Sequence, residues 1–172
     1  MVDARCAAAI ALPSGRVDHA DVTAAADRIA PYARRTPVWR VEIDGRPVVL
    51  KLEHHQLTGT FKIRGALNAL LAGDRPGHVV TASGGNHGLA VATAARLLGL
   101  PATVFVPEPA PESKTRRIEA AGATLVRHGA SYAEASAAAL AAPARSTAAA
   151  TREPTGRASP RTCRTCSPCA RR

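Results

Sequence analysis

From residue 77 onward the sequence repeats one unit, in which a short apolar run is followed by a segment with helical spacing. The three apolar runs are "GHVVTAS", "PATVFVP" and "ATLVRHG". Strands that alternate with helices pair in parallel, because each helix returns the chain to the start of the next strand. The pattern predicts a three-layer, doubly wound parallel α/β sheet. Three strands are few for such a sheet, so we expect it to be incomplete.

Local signals predict where several elements begin and end. "APESKTRRIEAAG" has proline near its start and Gly122 past its end, an asymmetry typical of helices. "SYAEASAAALAA" begins with Ser131 as a candidate N-cap and has Glu134 at the capping-box position. Upstream, "HADVTAAADRIAPY" is predicted to be a helix capped by Asp18 or Asp21, and "RPVVLKLE" is predicted to be a strand.

The net charge of +10 would by itself indicate nucleic-acid binding. However, residues 143–172 hold seven arginines against one glutamate, whereas residues 1–142 hold 16 lysines and arginines against 12 acids. The larger part has no basic stripe with interleaved aromatics. No run of about 18 apolar residues occurs, and "CAAAIAL" is weaker than the core of a secretory signal. We therefore expect a cytoplasmic protein that binds neither nucleic acid nor a membrane.

Residues 143–172 differ in composition from the rest of the chain. They contain no Val, Ile, Leu, Met or Phe, so we expect this tail to be disordered. Out-of-frame translation after a frameshift is one explanation of its Arg-, Ala- and Pro-rich composition. The alternative is a metal or iron–sulfur site at Cys163, Cys166 and Cys169. A fourth ligand at the expected spacing is missing and the tail has no histidine, so we predict no metal.

"TGTFKIRGA" places Lys62 at the predicted start of a helix, in a chain with only three lysines against twenty arginines. The positive end of the helix dipole opposes a cation there and favours the neutral amine. A neutral lysine amine is a nucleophile suited to Schiff-base chemistry. An exposed surface lysine that happens to precede a helix explains these local features equally well.

"TASGGNHGLAVA" lies at a predicted strand-to-helix junction, where glycines allow close backbone approach and the helix N-terminus can bind an anion. Ser83, Gly85 and Gly88 fall one residue short of the dinucleotide-binding fingerprint. Glu108 lies where a ribose-binding acid would be expected, so a nicotinamide-binding module is one alternative. Asn86 and His87 argue against it because of their bulk. A plain tight turn is the other alternative.

Taken in order, "RTP", "KLEHHQLTGTFKIRGA", "SGGNHGLAVA" and "FVPEPAPESK" resemble the serine/threonine dehydratases. These are pyridoxal-phosphate enzymes of fold type II, with a tryptophan-synthase-β-like fold, and they also include serine racemase. The resemblance covers about residues 17–142. It implies pyridoxal 5′-phosphate as the cofactor, a small amino-acid substrate and a homodimer.

The resemblance also implies roles for individual residues. Lys62 corresponds to the lysine that forms the Schiff base and then acts as general base, and Phe61 flanks the cofactor ring. Asn86 would bond the cofactor's 3′ oxygen. The substrate carboxylate would be held by the turn comprising Ser83, Gly84, Gly85, Asn86 and His87. The implied reaction is β-elimination from L-serine or L-threonine, which yields a 2-oxo acid and ammonia.

Two departures from the family qualify this interpretation. Serine racemases resemble "SSGNHG" at the turn, and their second serine acts as acid/base where this chain has Gly84. This difference favours elimination over racemisation. In addition, the family is roughly twice this long and has a glycine-rich phosphate loop, whereas no "GGGG" follows residue 142. We therefore expect residues 1–75 to begin a large cofactor domain and residues 76–142 to form a small α/β domain. The protein would then be either a lyase or a truncated, inactive fragment of one.

Overall fold

A computed structural model of the chain describes residues 16–142. The predicted disorder of residues 143–172, and the cysteine spacing within them, lie outside the described residues. Within residues 16–142, no helix has the length and apolarity needed to cross a bilayer. No group of three or more potential metal ligands occurs in that same range.

The first half of the described chain contains two helices and two strands. They are α1 (His19–Ile29), β1 (Val38–Ile43), β2 (Arg46–Lys51) and α2 (Lys62–Leu71), with a 3₁₀ turn at Glu53–His55 between β2 and α2. The predicted cap of α1 is Asp18, whose carboxylate accepts from Asp21 N at 2.9 Å. Asp21 returns the bond by accepting from Asp18 N at 3.0 Å, so the two candidate caps form one capping box.

Strands β1 and β2 pair antiparallel as a hairpin, outside the βα repeat. Asp44 and Gly45 form the two-residue turn and both have positive φ values, 51° and 70°. Such turns match the twist of the flanking strands, which explains why aspartate and glycine occupy these positions.

The second half confirms the predicted alternation of strands and helices. Its elements are β3 (Val79–Ala82), α3 (Asn86–Leu97), β4 (Ala102–Val106), α4 (Glu112–Ala120), β5 (Thr124–Arg127) and α5 (Tyr132–Ala141). The strands form one parallel sheet in the order β3-β4-β5. Ser131 caps α5 by accepting from Glu134 N at 3.3 Å. Gly122 follows α4 with a φ of 93°, as its place after the helix predicts.

The core is centred on α3, of which eight of the twelve residues are buried. Helices α3 and α4 follow two successive strand steps in the same direction, so right-handed crossovers place both on one face of the sheet. Helix α5 packs on β3 and β4. Helix α2 packs on α3, and its Ile63 and Leu67 are fully buried in the common core. Alanines along α3 allow this close approach, and the approach brings α2 beside the α3 turn.

Candidate active site

Lys62 is the first residue of α2, as the sequence predicted. The preceding turn includes Gly59 at a φ of 74°, a conformation that favours glycine. Phe61 occupies the N-cap position without a capping side chain. The Lys62 ammonium lies 5.1 Å from the centroid of the Phe61 ring, within the range of a cation–π contact. Phe61 is 58% exposed, so one face of its ring is open to a ligand.

The turn Ser83–His87 joins β3 to α3. Ser83 N donates to Phe105 O at 3.0 Å, which ties the turn to β4. Gly85 is the N-cap of α3, and no side chain caps the first-turn N–H groups. These groups can therefore receive an anion such as a carboxylate.

Gly88 lies in the first turn of α3 and allows this turn to pack closely on the backbone of Ser83. A Cβ atom at this position would lie 2.0 Å from the Ser83 carbonyl oxygen, far inside van der Waals contact. Gly84 differs, since a Cβ there would meet Ala110 Cβ at 3.6 Å and Val106 Cγ1 at 3.7 Å, which are ordinary contacts. Glycine is thus required sterically at position 88 but not at position 84.

A cavity of about 360 Å³ lies between α2, β3 and α3. Three of the predicted site residues line it, namely Phe61, Lys62 and His87. The remaining walls are largely apolar side chains of α2, β3 and α3, such as Leu70, Val79 and Val91. Ser83, Gly84, Gly85 and Asn86 do not line this cavity; they form the turn and helix start that lead to His87. The structure therefore brings the two predicted loops together at His87 rather than along the whole turn.

His87 is the polar neighbour of Lys62 in this cavity. Its Nε2 lies 3.3 Å from Thr81 Oγ1. Burial lowers the pKa of His87 below its usual value of 6.5, and the nearby Lys62 cation lowers it further. An imidazole with a lowered pKa is uncharged at neutral pH, so it can accept or donate a hydrogen bond in the cavity without adding positive charge.

Arg64 and Glu53 form an ion pair near the start of α2, which the sequence interpretation did not identify. Arg64, in the first turn of α2, donates from Nε to Glu53 Oε2 at 2.9 Å and from Nη2 to Glu53 Oε1 at 2.8 Å. The Thr36 hydroxyl donates to Glu53 Oε1 at 2.6 Å. Both charged residues lie within the quoted "KLEHHQLTGTFKIRGA", but a contact across an irregular loop has no periodic signal in the sequence.

The Arg64 hydrogen bonds hold the pKa of Glu53 well below its usual 4.5, at about 2, against the opposing effect of burial. A lowered folded-state pKa contributes stability above the unfolded value, and this stability is lost as the pH falls through the folded one. We expect Glu53 to contribute about 1–2 kcal/mol at neutral pH, since solvent screens part of the effect, and this contribution is lost as the pH falls from 4.5 to about 2. Urea unfolding at several pH values measures this.

Glu53→Gln is the control, because it should weaken the fold at neutral pH and flatten the dependence of the unfolding free energy on acid. An identical acid dependence in the wild-type protein and the variant would contradict the assignment.

Comparison with known proteins identifies the family. The sequence profile of the pyridoxal-phosphate dependent enzymes matches residues 29–160. The chain belongs to this family. Members of the family use pyridoxal phosphate, which confirms the predicted cofactor, and the structural neighbours confirm the predicted fold type II. The match runs past residue 142, where the change in composition predicts a break.

The relatives include both racemases and lyases. A serine racemase from Bos taurus is 44% identical over 120 residues, which is 64% of this chain and 36% of the racemase. An L-threo-3-hydroxyaspartate ammonia-lyase from Pseudomonas sp is 44% identical over 113 residues, 62% of this chain and 35% of that enzyme. A solved T.th. threonine deaminase is 40% identical with a TM-score of 0.66, over 73% of this chain and 41% of that one. The chain spans about a third of the length of the curated relatives it matches.

The residues around Lys62 fit the ring end of this cofactor. The amine opens onto a cavity with apolar walls and stands beside an exposed aromatic ring. Among the described residues, the Thr60 hydroxyl is the one buried side-chain polar atom without a hydrogen-bond partner, and it lies two residues before Lys62. A buried polar atom of this kind is normally satisfied by a further group.

Proposed function

We propose that this chain carries the lysine-bearing part of a lyase that eliminates water from L-serine or L-threonine and then takes up water to release ammonia and a 2-oxo acid. The observation that carries the proposal is the convergence of Lys62 and His87 at one cavity, next to a turn that has glycine at position 84. The similarity to a threonine deaminase and to an ammonia-lyase supports the same reaction class.

Each predicted residue has a defined task in this reaction. Bound pyridoxal phosphate supplies the electron sink that stabilises negative charge at the substrate α-carbon. Lys62 would hold the cofactor through Nζ, and the same atom would take the α-proton of the substrate as general base. Phe61 and the Asn86 amide would help to hold the cofactor, Phe61 by contact with its ring and Asn86 by a hydrogen bond.

The other residues of the turn act on the substrate. The uncapped N–H groups at the start of α3 receive the substrate carboxylate. Ser83, Gly84 and Gly85 shape the backbone that leads to them. His87, uncharged at neutral pH, adds no second cation beside the Lys62 amine. The β-hydroxyl then leaves as water, and hydrolysis releases ammonia.

A serine racemase is the second candidate, because the bovine racemase is as similar as the ammonia-lyase. Racemisation requires a proton donor on the side of the substrate opposite Lys62. The racemases that the turn resembles have a serine hydroxyl for this task, and Gly84 has no side chain. The absence of a donor at position 84 favours elimination.

Incubation of the purified chain with pyridoxal phosphate and L-serine separates these candidates. We expect pyruvate and ammonia without appreciable D-serine. D-serine formation at a rate comparable to pyruvate formation would overturn the lyase proposal. If neither product forms although Lys62 captures the cofactor, the result supports the inactive fragment.

Gly84→Ser is the matched variant, since its Cβ would meet only ordinary contacts at 3.6 Å and 3.7 Å. A positioned acid–base group contributes about 10²- to 10⁴-fold to a proton-transfer step. We therefore expect the ratio of D-serine to pyruvate to rise by at least about tenfold. Chiral chromatography of the reaction mixture measures this ratio, and an unchanged ratio would remove Gly84 as the determinant.

A further inference from the structure

The first turn of α2 lacks the features that usually stabilise a helix start. No side chain caps it, and no acidic residue lies in it. It carries instead two cations, Lys62 and Arg64, at the positive end of the helix dipole. The connection from the 3₁₀ turn to Phe61 has no regular structure. Another contact must therefore fix the direction in which Lys62 leaves the backbone.

The Glu53 carboxylate supplies the missing negative charge from outside the helix. Both of its oxygens accept from Arg64, at 2.9 Å and 2.8 Å, in the paired geometry that makes arginine–carboxylate contacts strong. The side chains are 18% exposed for Glu53 and 30% exposed for Arg64. A partly buried, two-point pair is worth more than an exposed one, because water competes less for its hydrogen bonds.

The segment that precedes β1 secures the same pair and the loop between them. Arg64 Nη2 also donates to Arg34 O at 3.1 Å. Gln56, only 3% exposed, accepts from Arg34 N at 3.0 Å and donates to Arg34 O at 2.8 Å. The ion pair thus joins the two sides of the loop between β2 and α2, and Gln56 fixes this loop to the segment that precedes β1.

Lys62 is followed directly by two residues whose positions are fixed by contacts. Ile63 is fully buried in the core and Arg64 is bound to Glu53, so the backbone of the first turn is anchored on two sides. We infer that the Glu53–Arg64 pair is a positioning device, which fixes the start of α2 and thereby holds the Lys62 amine at the cavity. The inference rests on Lys62 being the cofactor lysine of the proposed function.

Amide hydrogen exchange of the full chain without cofactor tests the positioning directly. The variant is Glu53→Gln, which keeps the shape of the side chain and removes its charge. Glu112→Gln is the matched control, because Glu112 pairs with Arg116 at 2.9 Å on the exposed surface of α4. We expect exchange of the amides of residues 64–66, which are the first hydrogen-bonded amides of α2, to rise about tenfold in Glu53→Gln, since hydrogen bonds to charged groups are the stronger class. The same amides should be unchanged in Glu112→Gln.

A second readout follows the amine itself. Pyridoxal phosphate is added, the adducts are reduced with borohydride, and the ratio of label on Lys62 to label on Lys114, an exposed lysine of α4, is measured by mass spectrometry. We expect this ratio to fall at least about threefold in Glu53→Gln at a pH where far-UV circular dichroism shows an intact fold. A purely structural role would lower stability and leave the ratio in the folded protein unchanged.

The outcomes distinguish failure of the positioning inference from failure of the proposed function. Unchanged exchange at residues 64–66 overturns the positioning inference, whatever the cofactor does. An unchanged labelling ratio in a wild-type-like fold overturns it as well. Failure of the wild-type chain to favour Lys62 over Lys114 counts instead against the proposed function, and the exchange measurement still decides the inference.

Discussion

A Lys62→Arg variant is expected to lose most of the reducible adduct that the wild-type chain forms with pyridoxal phosphate. Arginine keeps the positive charge and most of the length of lysine, but its guanidinium stays protonated and is not a usable amine nucleophile. The residual adduct should therefore be limited to the background that Lys51 and Lys114 form. Absorbance of the adduct at the edge of the visible range, and its disappearance on addition of borohydride, measure the effect.

Lys114→Arg is the matched control, because Lys114 is an exposed lysine on α4, outside the cavity. It should leave the absorbance of the adduct unchanged. Equal absorbance in Lys62→Arg and in the wild-type protein would show that the cofactor aldehyde reacts with another amine. The role of Lys62 would then be wrong even though the family assignment stands.

Gly88→Ala is expected to destabilise the fold by more than about 3 kcal/mol, at the upper end of the range for overpacked sites. The added Cβ would lie 2.0 Å from the Ser83 carbonyl oxygen and 3.2 Å from Ile118 Cδ1. The first of these is a backbone atom in the turn that joins β3 to α3, so it cannot yield without moving α3. The midpoint of urea unfolding measures the loss.

Gly65→Ala provides the comparison, because Gly65 is also helical but a Cβ atom added there would meet no heavy atom within 4 Å. Alanine is the better helix former, so this variant should be more stable by about 0.5–1 kcal/mol. Opposite effects of the same substitution in α2 and α3 would confirm that the contact with Ser83, and not helix propensity, requires glycine at position 88. Equal effects would contradict it.

The parallel sheet could be predicted from the sequence because its signals are local and repeated. Each strand is a short apolar run, and each helix ends in a glycine or begins at a capping side chain, as Gly122 and Ser131 illustrate. These features depend on neighbours within about one helical turn. The family resemblance then named Lys62 and Asn86, and the structure places both at helix starts.

The remaining features depend on contacts between distant residues. The order of the strands and the packing of α2 on α3 follow from core packing, for which the sequence carries no local code. The antiparallel hairpin has a recognisable Asp44–Gly45 turn, but the sequence interpretation did not use it. The pairing of Glu53 with Arg64 crosses an irregular loop and becomes evident only once the loop is folded.

The dinucleotide-binding alternative is wrong, because the family match assigns the glycine-rich turn to a pyridoxal-phosphate enzyme. The structure adds a physical reason for the spacing of the glycines. Gly88 permits the close contact with Ser83, and Gly85 begins α3. The spacing therefore serves the geometry of the turn, and a similar spacing arises in nucleotide-binding turns from the same need for close backbone approach.

The role of Lys62 is tested most directly by identifying which lysine captures the cofactor. The wild-type chain is incubated with pyridoxal phosphate, reduced with borohydride, digested and mapped by mass spectrometry, with Lys51 and Lys114 as internal references in the same molecule. We predict that the reduced adduct lies predominantly on Lys62. Label distributed evenly over the three lysines, or concentrated on Lys51 or Lys114, would contradict it.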